Sequence, residues 1–162
     1  MYSRMLVPID DSEPSKLALD EALKLACLLH ASIRLLHLVD VRTLLTSEAT
    51  AASYDTLFDM LRREGEQLLL NAAAPIRRAG VVVETVLVEA PDVQVGECVV
   101  RKAREYQAEL IVCGTHGRRG VRRLLMGSDA EYIVRHSPAP VLLVGNPDTA
   151  GSTANAGIGA AA

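Results

Sequence analysis

The amino-acid sequence predicts a doubly wound α/β domain, in which an open parallel sheet carries helices on both faces. Short apolar runs alternate along the chain with longer stretches whose apolar residues recur at helical spacing. The runs are continuous, which is typical of strands covered on both faces. A length of 162 residues suits one such domain, because single domains usually contain roughly 100 to 200 residues. Parallel strands joined by helices then require right-handed crossovers.

The first part of the chain predicts a strand, a helix and a second strand. The apolar run MLVP at residues 5–8 stops at Pro8 and leads into the polar turn IDDSEPSK. Ser12 is a good N-cap, and we expect the first helix to run from there to about His30. Residues 33–39 (IRLLHLV) are rich in branched apolar side chains and therefore predict the second strand.

The middle of the chain predicts a loop followed by a long helix. Residues 40–52 have no consistent period and are expected to form the loop. A helical apolar face then extends from Leu57 to Ile76. We expect Pro75 to kink or shorten the end of this helix, because proline lacks the N–H group that a helix interior uses. Gly80 is the expected C-terminal stop.

A third strand and a third helix are predicted next. Residues 81–88 (VVVETVLV) predict a strand that is covered on both faces, apart from Glu84 and Thr85. Asp92 is expected to cap the helix that follows, because its carboxylate can accept hydrogen bonds from the first free N–H groups. This helix should end near Tyr106.

The last elements are a short strand, a helix and a final strand. Residues 110–113 are apolar and are followed at once by glycine. The fourth helix should begin near Ser128 and end near His136, where the segment SPAP interrupts it. Residues 141–144 (VLLV) predict the last strand. The tail, residues 146–162, is rich in small residues and nearly uncharged, so we expect it to be disordered.

Composition limits the classes of function. Hydrophobic residues make up 49% of the chain and charged residues 23%, so residues 1–145 should fold as one domain. A net charge of -3 and an aromatic content of 3% disfavour nucleic-acid binding, which draws on cations and stacking rings. The three cysteines match no disulfide framework or metal site. With no signal peptide and no membrane-spanning apolar stretch, we expect a cytoplasmic protein.

The segment most suggestive of chemistry follows the fourth strand and reads GTHGRRGVRRLLMGS. Gly114 and Gly117 are separated by two residues, and Gly127 with Ser128 follows after nine more. Glycines permit positive φ and a close backbone approach, so exposed N–H groups here could bind phosphate oxygens. A helix that begins at Ser128 would add further donors. The segment matches neither the P-loop nor the dinucleotide fingerprint, and glycines that only form turns remain an alternative.

Four motifs together resemble the universal stress protein family. They are GTHG followed after nine residues by GS, the opening MLVPIDDS, the strand LLHLVD and the closing SPAPVLLV. The similarity extends from about Met1 to Val144. It implies a five-stranded sheet of order 3-2-1-4-5 with ATP held between the ends of the first and fourth strands.

The resemblance also implies which residues bind the nucleotide. It places Pro8, Ile9, Asp10 and the backbone of Leu38 in the nucleoside pocket. The ribose and the phosphates would lie along Cys113, Gly114, His116 and Gly117. The phosphates would be enclosed by Gly127, Ser128, Asp129 and Ala130. Asp129 and Ala130 depart from the family pattern, where an apolar residue and then Ser or Thr are common. Affinity could be lower, or Asp129 could reach a bound divalent cation such as magnesium.

Simpler explanations exist for several of these residues. Asp10 can form an Asx turn between strand and helix. His37 lies in an apolar strand and is expected to be a hydrogen-bonded core histidine, while Cys113 is expected to be a small buried hydrophobe. Four arginines between the glycines either complement phosphate charge or point into solvent: Arg118, Arg119, Arg122 and Arg123.

Three functions follow from these observations. The first is an ATP-binding stress-response protein in which the nucleotide changes stability or partner choice. The second is a weak ATP hydrolase or phosphotransferase, for which only Asp10, His116 and Asp129 are candidates and no complete catalytic set is apparent. The third is a nucleotide-free interaction module. We also expect a homodimer through the edge strand at Val141 to Val144, because an open strand edge exposes unpaired backbone groups.

Overall fold

The computed structural model describes residues 2–39, 51–89, 94–115 and 126–145. Five strands and four helices alternate: β1 (Arg4–Pro8), α1 (Glu13–Leu29), β2 (Ser32–Val39), α2 (Ala51–Arg78), β3 (Val83–Glu89), α3 (Val95–Tyr106), β4 (Leu110–Gly114), α4 (Ser128–His136) and β5 (Val141–Val144). The strands form one parallel sheet of order β3-β2-β1-β4-β5. The predicted doubly wound architecture and the strand order implied by the resemblance are both confirmed.

Two apolar layers hold the helices on opposite faces of the sheet. On one face, α1 and α2 pack on strand residues such as Met5, Val7 and Leu35. On the other face, α3 and α4 pack on the alternate residues, which include Leu6 and Leu36. Each of these side chains is almost fully buried, and burial of one such side chain contributes about 1.5–3 kcal/mol. Alternation along each strand therefore fixes which face a residue serves.

Helix α1 begins and ends as the sequence predicts. Ser12 is the N-cap, and its side chain accepts a hydrogen bond from the Ser15 N–H group at 3.4 Å. Pro14 lies in the first turn, where the absence of an N–H group costs nothing. His30 closes the helix in the left-handed conformation with φ 53°. The Ser12 cap therefore marks where the chain turns from β1 into α1, and the His30 cap marks where it turns toward β2.

Helix α2 corrects two expectations. It already includes Ala51 and Ala52, so the end of the expected loop is helical, while residues 40–50 lie outside the described residues. Pro75 does not shorten the helix appreciably, because α2 continues to Arg78, and a kink at Pro75 stays a prediction. Pro75 lies close to the C-terminus, and the fully buried Ile76 still packs in the core. Gly80, the predicted stop, lies just past the end of the helix with φ +77°.

The third strand is less covered than its sequence predicts. It begins at Val83 instead of residue 81, and none of its residues is fully buried. Val82, just before the strand, is 68% exposed. The reason is topological: β3 lies at the edge of the sheet, so it has a neighbouring strand on one side only. An apolar run reveals that a strand exists but does not reveal its place in the sheet.

The remaining elements agree with the sequence except in their caps. Helix α3 ends at Tyr106 as predicted, but its N-cap is Gln94 and not Asp92, which lies outside the described residues. Helix α4 and strand β5 have the predicted bounds, with Gly127 as the N-cap of α4. The tail at 146–162 is also outside the described residues. Within the described part of the chain, no helix is both long and apolar enough to cross a membrane.

Candidate functional site

The candidate site lies where the carboxyl ends of β1 and β4 meet. The two strands are adjacent and parallel, with Met5 opposite Leu110 and Leu6 opposite Ile111. The chain leaves β1 toward helices on one face and reaches β4 from a helix on the other face. In doubly wound sheets, ligands bind in the crevice at such a switch point. We call this place the crevice.

On the β1 side, Asp10 lies in a tight network of short-range hydrogen bonds. Its Oδ1 atom accepts a hydrogen bond from the Ser12 N–H group at 3.0 Å and also contacts the Ser12 hydroxyl. The Asp10 N–H group donates to Ser15 Oγ at 3.0 Å. This is the Asx turn proposed as the simpler explanation of Asp10. A nucleotide contact by Asp10 stays a prediction, and its turn fixes the backbone that would line the crevice.

The residues before Asp10 are held by the neighbouring strand. Pro8 ends β1, and Ile9 lies one residue beyond it with only 6% of its surface exposed. The Ile9 N–H group donates to the Leu36 carbonyl at 2.8 Å, and the Ile9 carbonyl is 2.8 Å from Nδ1 of His37. The interpretation of His37 as a hydrogen-bonded core histidine is confirmed. Leu38, the next residue of β2, is half-buried beside these groups.

On the β4 side, Gly114 is required for packing and not for a turn. A Cβ atom at this position would lie 2.8 Å from both the carbonyl carbon and the Cβ atom of Pro14. The described residues include one glycine with positive φ, Gly80, so the expectation of positive φ is wrong for Gly114 and for Gly127, whose φ is −63°. Gly114 instead allows the N-terminus of α1 to approach the end of β4 closely.

The two ends of the glycine-rich segment are hydrogen-bonded to each other. The Gly127 N–H group donates to the Thr115 carbonyl at 2.9 Å, and the Thr115 N–H group donates to the Val144 carbonyl at 3.0 Å. The start of α4 is thereby held against the end of β4. The other two predicted residues of this segment, His116 and Gly117, lie outside the described residues, as do the four arginines.

The first turn of α4 presents its backbone at the crevice. Ser128 is exposed and Ala130 is buried. The Gly127 carbonyl accepts the first intrahelical bond, from the Glu131 N–H group at 2.9 Å. The N–H groups that precede Glu131 therefore have no acceptor within the helix, and the positive end of the helix dipole lies among them. Such a helix terminus can bind an anion.

Asp129 has a structural partner that the sequence did not indicate. Its Oδ1 atom accepts a hydrogen bond from the Gly96 N–H group, in the first turn of α3, at 3.0 Å. The α3 N-cap, Gln94, makes no side-chain cap bond, so Asp129 caps α3 from another helix. A Cβ atom on Gly96 would lie 2.9 Å from the Tyr132 Cβ atom. Asp129 as a cation ligand stays a prediction.

Cys113 contributes no reactive group to the crevice. Its side chain is buried in the apolar layer under α3 and α4, as predicted. Burial raises the pKa of the Cys113 thiol to about 12, because the thiolate would lose its hydration there. Among the residues that the structure describes, no group of three or more metal-ligating side chains is assembled. Among the described residues, this side offers a ligand mainly the backbone N–H groups at the start of α4.

Three residues that organise the crevice were missed in the sequence. Ser15 is buried and accepts the Asp10 N–H group, and its position three residues after Ser12 is the signal that could have indicated it. Thr115 acts through its carbonyl and Gly96 through its lack of a side chain, so no residue type could have identified them. Both contacts connect segments that are distant in the sequence.

The fold and the crevice define the class: doubly wound α/β proteins with a ligand crevice between the first and fourth strands. The sequence model of the Universal stress protein family matches residues 1–145. The chain belongs to the universal stress protein family, and the resemblance inferred from its four motifs is confirmed.

Individual relatives agree with this assignment. Universal stress protein MJ0531 of Methanocaldococcus jannaschii is 31% identical over 147 residues, which cover 91% of this chain and 84% of that protein. The crystal structure of a family protein from Burkholderia pseudomallei is 34% identical, with a TM-score of 0.69 and coverage of 88% of this chain and 96% of that one. A universal stress protein in complex with cAMP is 26% identical, with a TM-score of 0.64 and coverage of 88% and 97%.

Proposed function

We propose that this chain binds an adenine nucleotide, ATP above all, in the crevice and acts as a nucleotide-dependent regulator in the stress response. The observation that carries the proposal is the bond between Gly127 and Thr115, which holds the first turn of α4 beside the end of β4, the strand next to β1. Free N–H groups and a favourable dipole then face the place where a phosphate would lie. A relative that was solved with cAMP supports the adenine part of the proposal.

The charges of the segment between Gly114 and Gly127 suit an anion with several negative charges. Four arginines lie in this segment of the sequence, and guanidinium groups bind phosphates strongly because they donate paired hydrogen bonds. Asp129 would place a carboxylate near phosphates, but one of its oxygens already accepts from Gly96. We therefore propose that magnesium enters together with the ATP and reduces the negative charge of the triphosphate beside Asp129. We do not propose that the protein holds magnesium in the absence of nucleotide.

Calorimetric titration with ATP, with and without magnesium, tests the proposal. Nucleotide released from freshly purified, denatured protein identifies what the protein carries. We expect the Gly117→Val variant to bind ATP at least about tenfold more weakly. Gly80→Asn is the matched control, because Gly80 lies at the opposite end of the sheet, a Cβ atom there meets nothing within 4 Å, and Asn tolerates positive φ.

The outcomes of this titration separate the three functions. ATP binding that Gly117→Val weakens and Gly80→Asn preserves supports the proposal. Absence of any nucleotide binding by the parent protein rejects it and leaves the interaction module. Release of phosphate from bound ATP above the buffer background would instead support the hydrolase.

We also propose that two copies of the chain pair along strand β5 in the cytoplasm. Val141–Val144 is an edge strand of four half-buried apolar residues, and β4 covers one of its sides. An open edge of this kind is a template for a second strand. Light scattering tests the pairing: a dimer that Leu143→Lys converts to a monomer supports it, and a monomeric parent protein rejects it.

A further inference from the structure

We propose that His37 is a positioning residue of the crevice: it holds the Ile9 carbonyl, sets the path of the chain from β1 to Asp10, and so controls nucleotide affinity without contacting the nucleotide. The inference rests on the proposed function. It concerns a side chain outside the glycine-rich segment, and it connects helix α2 to the site.

The geometry at Ile9 supports this role. Ile9 has just left β1, yet both polar groups of its backbone remain bonded to β2: the N–H group to the Leu36 carbonyl and the carbonyl to His37 Nδ1, each at 2.8 Å. A carbonyl beyond the end of a strand has left the regular ladder, so it needs another hydrogen-bond partner when it is buried. His37 is 92% buried and supplies that donor.

The bond also defines the protonation of the ring. A carbonyl only accepts hydrogen bonds, so Nδ1 of His37 must carry a proton. In the neutral ring Nε2 is then the nitrogen without a proton. This tautomer gives the proposal a spectroscopic signature, since the two ring nitrogens have different chemical shifts according to which one is protonated.

Helix α2 leaves space for this ring through Gly65. A Cβ atom at Gly65 would lie 2.7 Å from His37 Cδ2 and 2.8 Å from Leu87 Cδ1, both shorter than side chains tolerate. Glycine in a helix interior is destabilising relative to alanine. The long helix α2 accepts this cost where the imidazole needs the volume. His37 and Gly65 are therefore a matched pair.

The consequence reaches the crevice through two residues. Ile9 is followed by Asp10, whose N–H group and carboxylate form the turn with Ser15 and Ser12. Without a donor at His37, the buried Ile9 carbonyl would have to turn toward water, because an unsatisfied buried carbonyl is costly. The backbone that begins the crevice would then move, although every group predicted to touch the nucleotide would still be present.

Two substitutions at His37 test the donor. His37→Leu removes it, and His37→Asn keeps an N–H group near the position of Nδ1. We expect His37→Leu to weaken ATP binding about tenfold and His37→Asn to restore most of the affinity. His37→Asn loses packing volume and His37→Leu changes the shape of the buried side chain, so a merely structural role would lower the stability of both and leave their affinities alike. Equal affinity of His37→Leu and the parent protein, or equal loss in both variants, would overturn the proposal.

A second variant covers the case in which His37→Leu does not fold. Gly65→Ala adds one carbon atom against the ring and should displace it, so we expect weakened ATP binding. The higher helix propensity of alanine offsets part of the cost of this close contact. Glu64→Ala, an exposed change on the same helix, is its control and should bind as the parent protein does. Unchanged affinity in Gly65→Ala would also overturn the proposal.

Nuclear magnetic resonance of the ligand-free protein separates this proposal from the proposed function. We expect the His37 ring to be protonated at Nδ1, and the amide signals of Asp10 and Ser12 to shift in His37→Leu and to return toward parental positions in His37→Asn. If the parent protein binds no nucleotide but these signals behave as expected, the proposed function fails and the positioning of the β1 exit stands. Signals that do not change reject the positioning role.

Discussion

The two sides of the crevice are built by opposite means. On the β1 side, polar side chains hold the backbone: Ser15 accepts the Asp10 N–H group, Asp10 accepts the Ser12 N–H group, and His37 holds the Ile9 carbonyl, at distances between 2.8 and 3.0 Å. Each of these bonds depends on a particular donor or acceptor. Substitutions that remove one of these side-chain donors or acceptors should therefore disrupt the β1 side.

On the β4 side, the absence of side chains permits the close contacts. Gly114 lies against Pro14, and Gly96 lies against Tyr132, with no space for a methyl group at either glycine. The β4 side is therefore damaged when atoms are added. The difference teaches that an alanine scan would identify the first side and overlook the second, unless the glycines are changed as well.

Gly114→Ala is the strongest test of this comparison. The new methyl group would meet backbone atoms of Pro14 at 2.8 and 2.9 Å, so the N-terminus of α1 would have to move. We expect the free energy of unfolding in urea to fall by about 3 kcal/mol, the upper part of the range for overpacked sites. Gly145→Ala is the control, since its methyl group would lie 3.5 Å from Thr115, an ordinary contact. Equal stability of the two variants would contradict the packing role.

Asp129→Ala sharpens the comparison, because Asp129 is a polar side chain on the β4 side. Its loss leaves the Gly96 N–H group without this acceptor, and the removal of a helix cap costs about 1 kcal/mol. Glu131→Ala is the control: Glu131 lies in the same first turn, but its ion pair with Arg135 is exposed and contributes little. In urea, the free energy of unfolding of Asp129→Ala should be lower than that of Glu131→Ala. The reverse order would show that Asp129 does not cap α3.

The sequence predicted the parts of the fold that depend on local pattern. The bounds of α4 and β5 and the caps Ser12 and Gly80 follow from residue types close together in the chain. The exposed position of β3 could not be predicted in this way, because it follows from strand order.

In the crevice too, contacts between residues close in the sequence could be predicted and contacts between distant residues could not. Asp10 was correctly interpreted as an Asx turn because its partner is two residues away. The bond from Gly96 to Asp129 joins residues 33 apart, and the contact of Gly114 with Pro14 joins two different elements. A single sequence contains these residues but not their proximity. The family resemblance indicated the place of the crevice, but not which side chains hold its walls.

The smallest expected effect concerns Cys113, next to Gly114 on the β4 side. Because burial raises the thiol pKa from 9.0 to about 12, the folded protein keeps its proton where the unfolded chain loses it. The stability that this provides is complete below about pH 9 and is lost as the pH rises toward 12. Urea unfolding at about pH 8 and pH 9.5 should show a loss below 1 kcal/mol from Cys113. Cys113→Ala should reduce the total loss but not abolish it, because burial also raises the pKa of the Cys98 thiol.

Thiol labelling gives the same test without unfolding. Cys27 is exposed and should react promptly near pH 8, whereas Cys113 should react only when the protein opens. Cys27→Ala is the control, since it should remove the prompt reaction and leave the pH dependence of stability unchanged. Prompt labelling of Cys113 in the folded protein would mean that the β4 side is open to solvent. The comparison between a β1 side held by side-chain hydrogen bonds and a β4 side held by close packing would then be wrong.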